Sequence, residues 1–222
     1  MIVGVVPIGG LGTRLGLTFS KEMLPQKNTN SYNPISNHLV TKMLKAGAEK
    51  IIFIHGDDFK TDVTSFYTDY VHKHYKQSKA GFANVLYEAY KIENIRENDI
   101  ILFGMPDTIF EDNLYLQMVE KKGVVAGLFI TDFESKVDRL DKGGRKFYIK
   151  TELDMNTTEN FWGILKFDGQ NISNAIEQGL FDRYSEVGSI VNSLNFTTVQ
   201  GGKYIDLGTW KNYNRYLSHG YY

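Results

Sequence analysis

The stretch Pro7-Ile8-Gly9-Gly10-Leu11-Gly12-Thr13-Arg14, followed by Ser20-Lys21-Glu22-Met23-Leu24-Pro25, decides how this chain is read. It comes straight after Met1-Ile2-Val3-Gly4-Val5-Val6, an apolar run that reads as a buried strand. A strand therefore empties into a loop with three glycines and an arginine, and a lysine follows several residues later. Glycines let backbone N–H groups turn toward one point and approach a ligand without Cβ interference. Arg14 and Lys21 can then clamp the same anion with side-chain donors. The stretch reads as a polyphosphate-binding loop.

Two familiar loops do not fit. No register of Gly9 to Gly16 supplies the Gly-x-x-x-x-Gly-Lys-Ser/Thr of a P-loop. The dinucleotide pattern Gly-x-Gly-x-x-Gly fails because Leu15 stands at its last place.

Outward from the loop, strand and helix patterns alternate for the first 130 residues. Asn33-Pro34 reads as a helix start, with Ile35, Leu39, Val40, Met43 and Leu44 on one face and Gly47 closing it. Residues 51–54 read as a strand, 58–70 as a helix, and a short strand is expected near Tyr75. Phe82, Val85, Leu86, Ala89 and Tyr90 fall at helical spacing. Ile100-Ile101-Leu102-Phe103 is a fully apolar strand, residues 113–121 a helix and 124–130 a strand. Such alternation predicts a single-domain α/β, Rossmann-like three-layer sandwich with a mostly parallel mixed sheet. The ligand crevice of such a sheet lies beyond the carboxyl ends of its strands. Both the Gly9–Arg14 loop and Asp107 leave such ends.

The second half is less regular. Residues 138–150, with Gly143-Gly144 at the centre, read as a β-ribbon, and 161–167 as a strand. Helices are expected near 172–180 and 186–194. Residues 196–199 and 204–205 read as a hairpin-like pair turned at Gly201-Gly202, before a last helix through Leu217. No repeat, linker or low-complexity tract breaks the chain, so one domain over residues 1–222 is expected.

Composition narrows the function classes. Lys and Arg number 25 against 26 Asp and Glu, giving a formal net charge of −1 and none of the basic excess of a dedicated nucleic-acid binder. Without cysteine there are no disulfides and no Cys-based zinc sites. No apolar run reaches transmembrane length, and the first residues carry no basic leader. A cytoplasmic protein without a membrane partner is expected. The five histidines fall in no convincing metal-ligand spacing.

Two aspartates stand out. Asp107 follows a buried strand just past Pro106, facing the crevice, where it can be a Mg²⁺ ligand shared with nucleotide phosphates or simply a turn former with Thr108. Asp206 precedes Leu207-Gly208-Thr209, which also suits a helix N-terminus.

Gly-Gly-x-Gly-Thr-Arg, a spacer and Ser-Lys-x-x-x-Pro together resemble the signature of the sugar-1-phosphate nucleotidylyltransferases, most of all the glucose-1-phosphate thymidylyltransferase-like branch. Phe103-Gly104-Met105-Pro106-Asp107 is similar to that family's metal-aspartate segment, and Asp206-Leu207-Gly208-Thr209 to its late Asp-x-Gly-Thr motif. The resemblance implies a nucleotide-diphospho-sugar transferase-like fold. It implies transfer of a nucleoside monophosphate from an NTP to a sugar 1-phosphate, or a similar phosphorylated acceptor, with release of pyrophosphate. By the same resemblance Gly9, Gly10, Gly12 and Thr13 bind the nucleotide, Arg14 and Lys21 are catalytic, and Asp107 and Asp206 hold Mg²⁺. Gln77 and Gly81 would meet the nucleobase. Gly163, beside Trp162, would line the acceptor pocket.

One segment departs from the pattern. Relatives carry Glu-x-Lys-Pro where this chain has Tyr148-Ile149-Lys150-Thr151-Glu152-Leu153, so Lys150 is expected to take the acceptor phosphate from a shifted position, with Lys146 and Arg145 as the alternatives. That departure leaves two alternatives: an unusual phosphorylated substrate, or a nucleotide-sugar binding or regulatory protein that has lost catalysis. A homo-oligomer is compatible with the resemblance, which does not fix the oligomeric state.

Overall fold

The computed structural model describes residues 1–10, 15–27, 29–56, 60–67, 72–76, 78–130, 137–151 and 155–219. The first half runs β1 (Ile2–Pro7), α1 (Ser36–Lys45), β2 (Lys50–His55), α2 (Thr61–Phe66), β3 (His72–Lys76), α3 (Phe82–Ile92) and β4 (Ile100–Gly104). It continues through β5 (Thr108–Phe110), α4 (Tyr115–Met118), β6 (Val124–Ile130), the ribbon β7 (Val137–Asp141) and β8 (Phe147–Thr151), and the long β9 (Thr157–Asp168). Then follow α5 (Gly169–Glu177), α6 (Leu180–Arg183), α7 (Val187–Leu194), β10 (Phe196–Asp206) and α8 (Trp210–His219).

One mixed sheet runs β3-β2-β1-β4-β9-β6-β10-β5, with the β7–β8 ribbon attached along β9. The pairs β2–β3, β1–β2, β1–β4 and β6–β10 are parallel, whereas β9 lies antiparallel between β4 and β6. Alternate side chains of each central strand feed opposite cores, as a strand's two-residue period requires. Ile51, Phe53, Leu102 and Val125 pack under α1 and α4, joined by Leu39, Met43 and Tyr115. Ile52, Ile54, Ile101 and Phe103 pack under α3, α5 and α7, joined by Val85, Ile172 and Val191. This is the expected α/β three-layer sandwich.

The connections place the site. From β1 the chain steps through α1 to β2 and through α2 to β3, moving toward one edge. It then returns through α3 to β4, which lies on the other side of β1. The carboxyl ends of β1 and β4 therefore flank a topological switch point, where an open α/β sheet leaves a crevice. Gly9 and Gly10 leave one end of that crevice, and Asp107 leaves the other.

Three local expectations are corrected. Helix α1 begins at Ser36 rather than Pro34, because Pro25 and Pro34 form an antiparallel bridge and the Ile35 amide donates to Leu24 O at 2.7 Å. That bridge keeps the chain extended up to the helix. Helix α4 covers Tyr115–Met118, shorter than the expected 113–121; the Asn113 side chain is turned aside, its Nδ2 donating to the carbonyl of Lys42 in α1 at 2.9 Å. Gly201-Gly202 is no hairpin turn but an irregularity inside the continuous strand β10, between Gln200 and Lys203. The glycines are needed for space: a Cβ on Gly201 would stand 2.6 Å from the Phe129 ring. The last stretch of β10 then pairs with β5, placing Asp206 opposite Thr108.

Candidate active site

A pocket of about 260 Å³ opens at the switch point. Lys21, Glu22, Asp107 and Asp206 with Pro7 and Gly10 form one group of its lining residues, and Asp138, Lys150, Trp162 and Glu186, joined by hydrogen bonds, form a second. Segments far apart in sequence supply each group, and the sheet topology brings them together.

In the first group, Lys21 lies on a 3₁₀ turn, Lys21–Met23, whose flanks are tied down. The Ser20 amide and hydroxyl both donate to the Asp62 carboxylate, at 2.7 and 2.6 Å. Glu22, fully buried, accepts two hydrogen bonds from Lys60 Nζ at 2.8 and 2.9 Å, and the same ammonium donates to Gly10 O at 2.7 Å. Lys60 thus fastens the glycine loop to the lysine turn. Burial raises the Glu22 carboxyl, with Lys60 pulling the other way.

Lys21, between these ties, sends Nζ to Asp107 Oδ2. Burial alone would lower its pKa, but Asp107, Glu22 and Asp206 outweigh that and hold it above the ordinary lysine value. The ammonium passes Gly10 closely: a Cβ there would lie 3.6 Å from Nζ. Glycine at position 10 leaves that side open for a ligand to reach the lysine.

Asp107 and Asp206 meet through backbone pairing. The Leu207 amide donates to Asp107 O at 2.8 Å, and Asp206 Oδ1 accepts from the Gly208 amide at 2.7 Å. Asn212 Nδ2 donates to Asp206 O at 2.8 Å, binding α8 to this corner. Two carboxylates beside a phosphate-sized space fit a hard divalent cation such as Mg²⁺, which takes one or two carboxylates and completes its shell with phosphate oxygens and water. Among the described residues no group of three or more His, Asp or Glu could hold a metal alone. Such an ion would depend on phosphate oxygens for the rest of its shell.

The second group is built on the ribbon and α7. Lys150 Nζ pairs with Glu186 Oε1 at 2.5 Å, and the Lys150 amide donates to Asp138 Oδ1 at 2.9 Å. Trp162 Nε1 donates to Asp138 Oδ2 at 2.8 Å. Asp138 is 9% exposed; burial pushes its carboxyl up and the two donors pull it back.

Gly10, Lys21, Asp107, Asp206 and Lys150 therefore converge on one pocket. Gly9 is placed where β1 and β2 end, its missing Cβ 3.2 Å from the Gly56 amide nitrogen. Gly81 opens α3 at φ +106°, against Ser185 O and next to Phe82 on the pocket wall. Gly163 faces the core, where a Cβ would strike the Tyr204 and Phe129 rings; its neighbour Trp162 lines the pocket instead. Gly12, Thr13, Arg14 and Gln77 lie outside the described residues.

Sequence reasoning missed Lys60, Asp62, Asp138 and Glu186. Glu22 stood inside the quoted motif and could have prompted a search for a buried cation. The other four sit in stretches with no spacing signal.

No family model and no curated protein matches the chain. Its fold does match solved structures. One is a Bacillus anthracis protein classed provisionally as a glucose-1-phosphate thymidylyltransferase and solved in complex with sucrose. The two are 23% identical with a TM-score of 0.81, over 100% of this chain and 96% of that one. Likeness at that identity shows the fold, an α/β three-layer sandwich, and no more. No helix among the described residues is long and apolar enough to cross a membrane.

Proposed function

We propose that the chain, as one domain over residues 1–222, is a Mg²⁺-dependent nucleotidyltransferase. It joins a nucleoside monophosphate from an NTP to a sugar 1-phosphate or similar phosphorylated acceptor and releases pyrophosphate. The observation that carries this reading is the convergence of Lys21, Asp107 and Asp206 beside Gly10 at the switch point.

In the reaction an acceptor phosphate oxygen attacks the α-phosphorus of the NTP. The new P–O bond forms as the bond to the bridging β oxygen breaks, and pyrophosphate leaves with that electron pair. No proton has to be removed from a phosphate oxygen ionised at neutral pH. What the protein contributes is alignment and neutralisation of charge. Gly9, Gly10, Gly12, Thr13 and Arg14 are assigned the β and γ phosphates, and Lys21 the α-phosphate. Lys21 suits that role because its ammonium stays charged while buried. Asp107 and Asp206 are assigned the metal, which when bound would add Lewis-acid stabilisation of the phosphoryl oxygens. Gln77 and Gly81 are assigned the nucleobase side.

The test is a matrix of common NTPs against phosphorylated acceptors, scored for pyrophosphate with and without Mg²⁺. Metal-dependent release that requires an acceptor supports the assignment. Silence across the matrix, with bound nucleotide demonstrated, would favour the catalytically inactive binding protein.

A further inference from the structure

We propose that the acceptor is a zwitterion, carrying a protonated amine as well as its phosphate, and that Glu186 and Asp138 receive the amine. This inference rests on the nucleotidyl-transfer reading and names the class of its second substrate.

The described residues of the second, acceptor-side group carry two carboxylates, Asp138 and Glu186, and one cation, Lys150. That balance is wrong for a ligand that is only an anion. Among the described residues, Lys150 is the cation beside these two carboxylates, and it is already paired with Glu186 at 2.5 Å. A purely anionic acceptor drawing Lys150 toward its phosphate would leave Glu186 and Asp138 uncompensated beside the new negative charge. Lys150 is 58% and Glu186 27% exposed, so the pair itself contributes little, and the penalty is the like-charge repulsion of two carboxylates against the incoming phosphate. A zwitterion avoids this: its phosphate takes Lys150 while its ammonium takes the carboxylate that Lys150 leaves.

The geometry suits a cation in two further ways. Asp138 is held rigidly by Trp162 Nε1 and the Lys150 amide, one donor on each oxygen. A carboxylate oxygen with one donor keeps a lone pair for another. Trp162 bonds to Asp138, and Phe82 and Phe161 add two more aromatic rings to the pocket wall. Aromatic faces attract ammonium groups, more so where water is excluded. The bend that brings these groups together is a built feature. Lys150 adopts a left-handed backbone, φ +47°, which non-glycine residues hold only when their surroundings fix it. Here Asp138 Oδ1, accepting from that same amide, does the fixing.

Matched acceptor pairs differing only in amine against hydroxyl test this. The pairs are glucosamine 1-phosphate against glucose 1-phosphate, and phosphoethanolamine against 2-hydroxyethyl phosphate. Calorimetric titration would use the full chain with Mg²⁺ and methylene-bridged analogues of the common NTPs in turn. The amine member of at least one pair is expected to bind at least tenfold more tightly, and the pair that responds separates amino sugars from amino alcohols. Glu186→Gln, checked for folding by circular dichroism, should bring that ratio within about twofold of unity. Equal or tighter binding by the hydroxyl member of both pairs, or no binding by any, overturns the proposal. Binding needs no turnover, so the result is separate from the nucleotidyl-transfer test. Pyrophosphate release with hydroxyl acceptors alone would sink the amine and leave the transfer reaction standing.

Discussion

Lys21 and Asp107 are 86 positions apart in sequence, yet their side chains pair at the floor of the crevice, only 16% and 12% exposed. Three consecutive residues are held this way, each by a partner from elsewhere: Ser20 by Asp62, Lys21 by Asp107 and Glu22 by Lys60. The turn is a fixed platform presenting one ammonium to the pocket. Under the proposed function, Asp107 would exchange the lysine for a metal when phosphates arrive. Lys21→Met should therefore destabilise the protein by about 2 kcal/mol, the cost of an orphaned buried polar group. Added Mg²⁺ should recover part of the loss in this variant more than in the wild type, as read from melting temperatures.

The Lys60–Glu22 pair makes a sharper stability prediction. Glu22 has no exposure, so removing Lys60 strands a buried carboxylate. Lys60→Met should cost about 3–5 kcal/mol, whereas Lys60→Met with Glu22→Met should cost clearly less. Chemical denaturation of both singles and the double checks the cycle. Equal losses in Lys60→Met and the double would show that the pair does not hold the turn.

His38 gives the fold an acid-side weakness. Burial, with help from Lys42, lowers its pKa from 6.5 to about 3, against a smaller upward pull from its bond to Phe110 O. The folded state prefers neutral His38, while the unfolded chain protonates it near 6.5. The unfolded state binds more protons between those values, so this contribution is complete above pH 6.5 and is lost as pH falls toward about 3. Denaturation midpoints across that range should rise with pH in the wild type. The slope should flatten in His38→Gln.

Gly81 tests the wall beside Phe82. Its φ of +106° disfavours any side chain, and a Cβ would sit 2.6 Å from Ser185 O. Gly81→Ala should cost about 2–4 kcal/mol, combining backbone strain and steric overlap. It should also weaken nucleotide binding, read by titration, because α3 and the Ser185 loop must separate.

The alternation of apolar runs with helical spacing was enough to place β1, β2, β4, β6 and α3, because each buries a complete face and its pattern is undiluted. That Lys21, Asp107 and Asp206 share one pocket was legible from the motifs that carry them. What failed to show was set by distant contacts. The start of α1 depends on a Pro25–Pro34 bridge, and the Gly201-Gly202 irregularity depends on the Phe129 ring. Neither partner is local. Gly163 has the same explanation: its smallness serves Tyr204 and Phe129, while the adjacent Trp162 faces the pocket. Asp138 and Glu186 carry no motif, and only folding the ribbon against α7 brings them to Lys150.

The most direct test of the central claim is pyrophosphate release from an NTP in the presence of Mg²⁺ and an accepted phosphorylated acceptor, compared among the wild type, Lys21→Ala and Asp107→Asn. The account predicts metal-dependent release by the wild type and a loss of at least a hundredfold in each variant, with folding retained by circular dichroism. Undiminished turnover in either variant would contradict it.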